Sequence, residues 1–313
     1  MHHARVCQYF YPMATIYTHQ SQNIRRTFAL FGVFLVFIIG VGFIFSQVYG
    51  DPGILYLAVG VSIIANIFSY YSSDTIALAI SGARPVERKD YPQLYNIVEN
   101  LAITAGLPMP RLYVTSEMQI NAFATGRNPQ HAAVAVTEGA LQKLNKTELE
   151  GVLAHELSHI GNRDILVSTV AVVLAGTISI AADFFLRSLW FGGGRRRDSE
   201  EGGNSGVFLL IGIAISILAP LGAMLLQLAI SRRRESLADA TGVLLTRYPE
   251  GLASALEKIA SDHTPMAHAS SATAHLWIDT PFKEGAKIAW YQKLFLTHPP
   301  VSERIAALRG MAK

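Results

Sequence analysis

Four apolar runs constrain this chain more than any other feature: Thr27 to Gln47, Gly53 to Tyr71, Ile165 to Trp190 and Val207 to Ile230. Each is about 20 residues or slightly longer, the length at which an α-helix crosses roughly 30 Å of hydrocarbon. Composition points the same way. Half of the residues are hydrophobic and 16% are charged, where an ordinary soluble domain carries about a quarter charged residues. The expected fold is therefore a multi-pass α-helical membrane protein, and what the apolar runs leave over can hold one modest soluble core.

The runs divide the chain. Residues 1–26 are polar and aromatic and read as an N-terminal tail, with His2, His3, Cys7 and His19 as weak metal candidates and no pattern of a removable signal peptide. Residues 27–80 form a first transmembrane hairpin, turned at Gly50-Asp51-Pro52-Gly53. Residues 81–164 form the first part of a soluble domain, 165–230 a second hairpin, and 231–313 the second part of that domain. Within the first part, helical spacing runs from Tyr91 to Ala105 and stops at Gly106. Arg111 to Thr115, Ile120 to Thr125 and Ala132 to Thr137 have strand character. Thr147 with Glu150 predicts a capping box opening the next helix. Helices follow at Arg232 to Thr246, Pro249 to Ser261 and Val301 to Arg309, so the soluble parts make one α+β domain split by an insertion.

Charge excludes some functions. The net charge of +3 is small, and Lys and Arg are not interleaved with aromatics along one stripe, so no nucleic-acid partner is expected. Cys7 is the single cysteine, which rules out an intrachain disulfide and a cysteine metal cluster. Any metal must be held by His, Asp or Glu.

His155-Glu156-Leu157-Ser158-His159 supplies such a set. At 3.6 residues per turn, positions four apart project from one helix face, so both imidazoles can meet one cation. Glu156 lies about 100° around the helix, beside the cation, where its carboxylate can hold and deprotonate a water. Two imidazoles leave zinc short of the three protein ligands an open catalytic site usually has. Topology points to the third. The motif helix runs into the third apolar segment and the fourth returns into Arg232-Arg233-Arg234-Glu235, so a hairpin would bring Glu235 beside His159. Asp239 follows four residues later on the same face, and one of the two acids can ligate while the other fixes a histidine tautomer. Asp183 and Arg187 share a helix face within the third segment and read as a neutralising pair.

With those residues in place, the sequence resembles the HtpX-type heat-shock membrane metalloproteases, which share a catalytic core with the prenyl-protein CaaX proteases. The resemblance covers roughly residues 27–310 and rests on Asn121-Ala122-Phe123-Ala124-Thr125-Gly126, the HEXXH with Asn162-Arg163-Asp164 behind it, Glu235-Ser236-Leu237-Ala238-Asp239, and Thr297-His298-Pro299-Pro300 with Arg304. The first 20 or so residues lie outside it, and Met13 offers an internal start. It implies a zincin-like metalloprotease domain on the HEXXH and ExxxD helices, one Zn2+ per chain on His155, His159 and Glu235, and Glu156 as catalytic base. It further implies Asp239 behind the ligands, and His298 as a second catalytic group that stabilises the oxyanion. Asn121, Ala122 and Phe123 would bind substrate as an edge strand, with Arg304 nearby.

The activity implied is zinc endopeptidase cleavage of misfolded or membrane proteins in quality control. The setting implied is the cell inner membrane, in contact with the lipid bilayer, with the site facing the cytoplasm. Arg25, Arg26, Arg84, Arg88, Lys89 and Arg232 to Arg234 favour that side, whereas Arg195-Arg196-Arg197 in the loop between the third and fourth segments runs against it. Two other classes compete. One is an inactive scaffold that keeps zinc as a staple and binds membrane partners, which has no use for Glu156. The other is a small transporter built on Asp183, which leaves the HEXXH unexplained.

Overall fold

The computed structural model describes residues 16–171, 173–174, 232–268, 270, 273–279 and 300–311. The first two apolar runs form helices α1 (Ile16–Tyr49) and α2 (Pro52–Ile80), both long and apolar enough to cross a membrane. Asp51 caps α2 by accepting from the Gly53 amide at 2.8 Å, and Pro52 occupies the first helical position, where its missing N–H costs nothing. Their apolar side chains point outward. Phe28 and Val36 on α1 are each 69% exposed, and Leu57 and Ile64 on α2 are 68% and 67% exposed. A helix of a soluble core buries such residues, so this surface suits lipid rather than water.

The N-terminal boundary needs correcting. α1 begins at Ile16, whereas composition placed a tail up to residue 26. One polar residue of this stretch is turned to the soluble domain: Asn23 is buried and reaches the chain around Asn162, while Ser21, Gln22 and Arg25 stay exposed. Residues 1–15, with His2, His3 and Cys7, lie outside the described residues, as does the side chain of His19.

The soluble domain is a four-stranded sheet covered by helices. Strands β1 (Arg84–Pro85), β2 (Arg111–Thr115), β3 (Ala122–Gly126) and β4 (Ala132–Thr137) lie in the order β1-β2-β4-β3. β2 and β4 are parallel, with Leu112 opposite Val134, while β3 and β4 are antiparallel, with Phe123 opposite Ala135. β3 is therefore an edge. Helix α3 (Pro92–Ala105) ends where expected, at Gly106, whose φ of 65° takes the left-handed form that glycine accepts without penalty. A short α4 (Glu138–Lys143) leads into α5 (Lys146–Gly161), the helix of the HEXXH motif.

The cap of α5 is also corrected. Asn145 accepts from the Glu148 amide at 3.0 Å and Glu148 accepts from the Asn145 amide at 2.8 Å. The capping box thus lies two residues before the expected Thr147 and Glu150. The same spacing occurs twice in Asn-Lys-Thr-Glu-Leu-Glu, and tertiary contacts choose between the copies: Glu148 also accepts from Lys258 and Ser254. Those two residues sit on α7 (Pro249–Ser261), which follows α6 (Arg232–Thr246), and α8 (Val301–Met311) closes the domain. One core joins them. Leu153 and Leu157 of α5, Leu252 and Leu256 of α7, Val134 of β4 and Leu308 of α8 all bury within it.

Past α5, residues 164–171 and 173–174 are helical, and Val167, Val170 and Leu174 pack against Leu30 and Phe34 of α1. The third apolar run therefore starts alongside the first hairpin. Its remainder, the fourth run, Asp183, Arg187 and Arg195 to Arg197 lie outside the described residues.

Candidate metal centre

α5 and α6 cross with almost no spacer between them. At the crossing is Gly242 of α6, where a Cβ would lie 3.1 Å from the His155 amide nitrogen and 3.3 Å from its Cα. Nearly two turns away on α6, Glu235 faces both imidazoles. Its carboxylate oxygens lie 3.8 Å from His155 Nε2 and 3.8 Å from His159 Nε2, and the two Nε2 atoms are 3.2 Å apart. The three donor atoms all fall within 4.8 Å of one another. Ligands held at about 2.0–2.1 Å by a tetrahedral zinc sit about 3.3 Å from each other, so the set fits such an ion with small adjustments. α6 thus carries Glu235 beside the two imidazoles of α5.

A second layer aims the imidazoles. His155 Nδ1 lies 2.9 Å from Asp239, which assigns the proton to Nδ1 and leaves the Nε2 lone pair for a cation. Arg304 of α8 then grips both oxygens of Asp239, at 2.9 and 2.7 Å. On the other imidazole, His159 Nδ1 lies 3.1 Å from Asp164. Asp164 was quoted in the motif but given no role, because spacing alone does not show that the chain turns back there. Arg163, with φ 60°, makes the turn.

The buried ionisable groups of the centre shift one another's proton affinities. Burial pushes the Glu156 carboxyl up to about 8, with His159 opposing and Glu235 reinforcing the shift. Burial disfavours a charged His159, yet Asp164 and Glu235 outweigh it and raise this histidine to about 9. For His155, burial wins over Asp239 and lowers the pKa. Burial would raise Asp239, but His155 and Arg304 bring it down to about 2. Protons thus occupy ground that a divalent cation would take.

The remaining candidates are placed as follows. Ala124 and Glu156 line one cleft with His155, His159 and Glu235. Phe123 is not among the residues lining that cleft; its ring packs edge-on, at 4.7 Å, against Trp277, which is. The Asn121 side chain donates to the Asp279 carbonyl at 2.9 Å, and the Ala122 carbonyl accepts from the Ile278 amide at 3.1 Å. Residues 278–279 of the chain itself therefore lie on the β3 edge. Arg304, grouped with the substrate-binding residues on the strength of the resemblance, is 3% exposed and engaged with Asp239. His298 lies outside the described residues.

Residues 88–312 match peptidase family M48. The chain belongs to peptidase family M48. The "Protease HtpX homolog" of Caldanaerobacter subterraneus subsp. tengcongensis is 46% identical over 300 residues, covering 95% of this chain and 98% of the relative. The protein of the same name from Pyrococcus furiosus is 45% identical, covering 92% and 95% respectively. Among solved structures, the crystal structure of S. mikatae Ste24p aligns with 90% of this chain at 18% identity and a TM-score of 0.47, and the chain spans 65% of that protein's length. This M48 chain is a membrane metalloprotease, a hydrolase of peptide bonds, and the cluster on α5 and α6 offers three ligand atoms to a metal ion.

Proposed function

We propose that this M48 peptidase is a zinc endopeptidase of the inner membrane, multi-pass with its site toward the cytoplasm, that cleaves misfolded or membrane proteins. The observation that carries the reading is the convergence of His155 Nε2, His159 Nε2 and the Glu235 carboxylate. Two neutral nitrogens and one carboxylate are a donor set suited to catalytic zinc with one position left open, in a zincin-like pairing of helices. Bound zinc supplies Lewis acidity toward a water and a peptide carbonyl.

The chain's residues supply the rest. Glu156 takes the proton of the attacking water and passes it to the leaving amine. Asp239 and Asp164 hold the two imidazoles in their ligating tautomers, and Arg304 acts on the centre by gripping Asp239, with Glu235 3.9 Å from its guanidinium. His298 donates to the developing oxyanion. Substrate backbone binds along β3 at Asn121, Ala122 and Phe123 by displacing residues 278–279, which hold the Ala122 carbonyl and the Asn121 side chain here. The end of α2 supports membrane-protein substrates. Ala77 and Leu78 pack into the same cluster as Phe123, so a strand laid on β3 lies next to the membrane hairpin. The hairpin at 165–230 completes the membrane part and separates the domain halves 81–164 and 231–313.

The test is metal content and proteolysis of the purified full chain in detergent, with casein and a membrane protein as substrates. Glu156→Gln should keep zinc at one per chain and lose about 100- to 10,000-fold in cleavage rate. Undiminished cleavage by that variant, or a wild type free of zinc, would sink the reading.

A further inference from the structure

The least expected contact in the molecule joins the membrane hairpin to the metal centre. Asn23 of α1 is 3% exposed. Its side-chain nitrogen donates to the Asn162 carbonyl at 3.0 Å and also to the carboxylate of Asp164. Both partners only accept, so the nitrogen rather than the oxygen of the amide must face them. The other oxygen of Asp164 accepts from His159 Nδ1 at 3.1 Å. A continuous path therefore runs from a membrane helix through one carboxylate to a metal-binding imidazole.

We infer that Asn23 is a positioning residue for the metal, setting the orientation of His159 by holding Asp164. The inference rests on the proposed metal set of His155, His159 and Glu235. Three features favour positioning over simple helix docking. A buried amide costs desolvation that an apolar residue of similar size avoids, and the neighbouring contacts of α1, Leu30 and Phe34 on Val167 and Val170, are apolar. Asp164 stands one residue past the left-handed Arg163, and Asn23 ties down both sides of that turn, at Asn162 and at Asp164. Finally, the amide is neutral. It fixes the carboxylate's direction without cancelling its charge, and that charge is what makes His159 a strong donor.

The experiment uses the full chain in lipid nanodiscs, with zinc affinity by chelator competition and the visible spectrum of the Co2+-substituted protein as readouts. Asn23→Leu should weaken zinc binding about 10- to 100-fold, the size typical of partners behind a metal ligand, and should alter the Co2+ bands. Because the effect passes through Asp164, Asn23→Leu should add little further loss in an Asp164→Asn background. Thr27→Val removes a hydrogen bond to the Asn23 carbonyl within α1 and should leave zinc affinity and the Co2+ bands unchanged. Wild-type affinity and spectrum in Asn23→Leu, or full additivity with Asp164→Asn, would overturn the inference. Should Asn23→Leu fail to fold, Asn23→Ala removes the donor without adding bulk, and wild-type affinity there would overturn it equally. His159→Ala separates the two claims: if it retains zinc, the metal assignment itself fails, whereas its loss alongside an unaffected Asn23→Leu removes only the role of Asn23.

Discussion

The two halves of the metal centre use one device in two electrostatic settings. His155 and His159 each give Nδ1 to an aspartate, Asp239 at 2.9 Å and Asp164 at 3.1 Å. Behind Asp239 stands the buried guanidinium of Arg304, bound through two nitrogens; behind Asp164 stands the neutral amide of Asn23. Proton affinity splits between the two rings. For His155 burial prevails over Asp239, with Arg304 and His159 adding to it, and the pKa is lowered. For His159 burial is outweighed by the carboxylates of Asp164, Glu235 and Glu156, and the imidazole is raised to about 9. One ligand is ready for a metal and the other carries a proton that the metal must displace.

The largest effect removes what the halves share. Glu235→Ala should empty the site of zinc and abolish cleavage, because neither imidazole pair nor aspartates can replace the third donor. His298→Ala should keep its zinc and lose about 100- to 1,000-fold in turnover, as for one oxyanion donor. Zinc stoichiometry on both purified variants checks this, and full zinc in Glu235→Ala with an empty His298→Ala would reverse the assignment.

Next in size are the two aspartates, and they should fail differently. Asp164→Asn should cost about 10- to 100-fold in zinc affinity with a small loss of folding stability. Asp239→Asn should match that affinity loss and also leave Arg304 buried beside a neutral partner, for which about 3–5 kcal/mol of destabilisation is the usual scale. Chelator competition and thermal unfolding of the zinc-free proteins measure the two quantities. Equal stability losses would mean the arginine and the amide are doing the same job.

Smaller again is the effect of pH. With His159 raised to about 9 and the Glu156 carboxyl to about 8, both hold protons near neutrality when no cation is present. Zinc must expel them, so apparent affinity should rise with pH and level off above about 9. Below that, each displaced proton contributes about ten-fold per pH unit. The slope of log affinity against pH reads the number of protons released, and a flat profile between pH 6 and 9 would contradict the split between the histidines.

How much of this could be read from the sequence follows from what each residue depends on. The HEXXH face follows from helix periodicity alone; the expectation for Glu235 took a non-local step, a return of the chain to its own start. β2 and β4 appear with the bounds expected from their apolar runs. Asn23 and Asp164 were not assigned roles because each depends on a contact across more than a hundred residues or on one left-handed backbone angle, neither of which has a sequence pattern. The pairing of Ile278 with the β3 edge was hidden for the same reason: the loop that carries it is rich in Ser, Thr and Ala and shows no strand alternation.

The smallest expected effect concerns the distance between the halves rather than either one. Gly242 lets α6 approach α5 so closely that a methyl group there would sit 3.1 Å from the His155 nitrogen and 3.3 Å from the Ala154 carbonyl carbon. Those are backbone atoms within a buried helix, so they yield only if α5 and α6 separate by a few tenths of an ångström. Gly242→Ala would gain helix propensity of about 1 kcal/mol and lose about 1–3 kcal/mol to overpacking, leaving a modest net destabilisation. The functional cost should be only a few-fold in zinc affinity, because Glu235 lies nearly two turns away and its side chain can absorb the shift. Moreover His155, whose backbone is the one pushed, should be disturbed more than His159. In Co2+-substituted protein the Glu235 and His159 contributions should persist while the His155 environment changes, which NMR of labelled histidines can resolve. Equal perturbation of both rings would show that the centre moves as one rigid body, and the distinction between a half anchored to α8 and a half anchored to the membrane helix would then have no mechanical meaning.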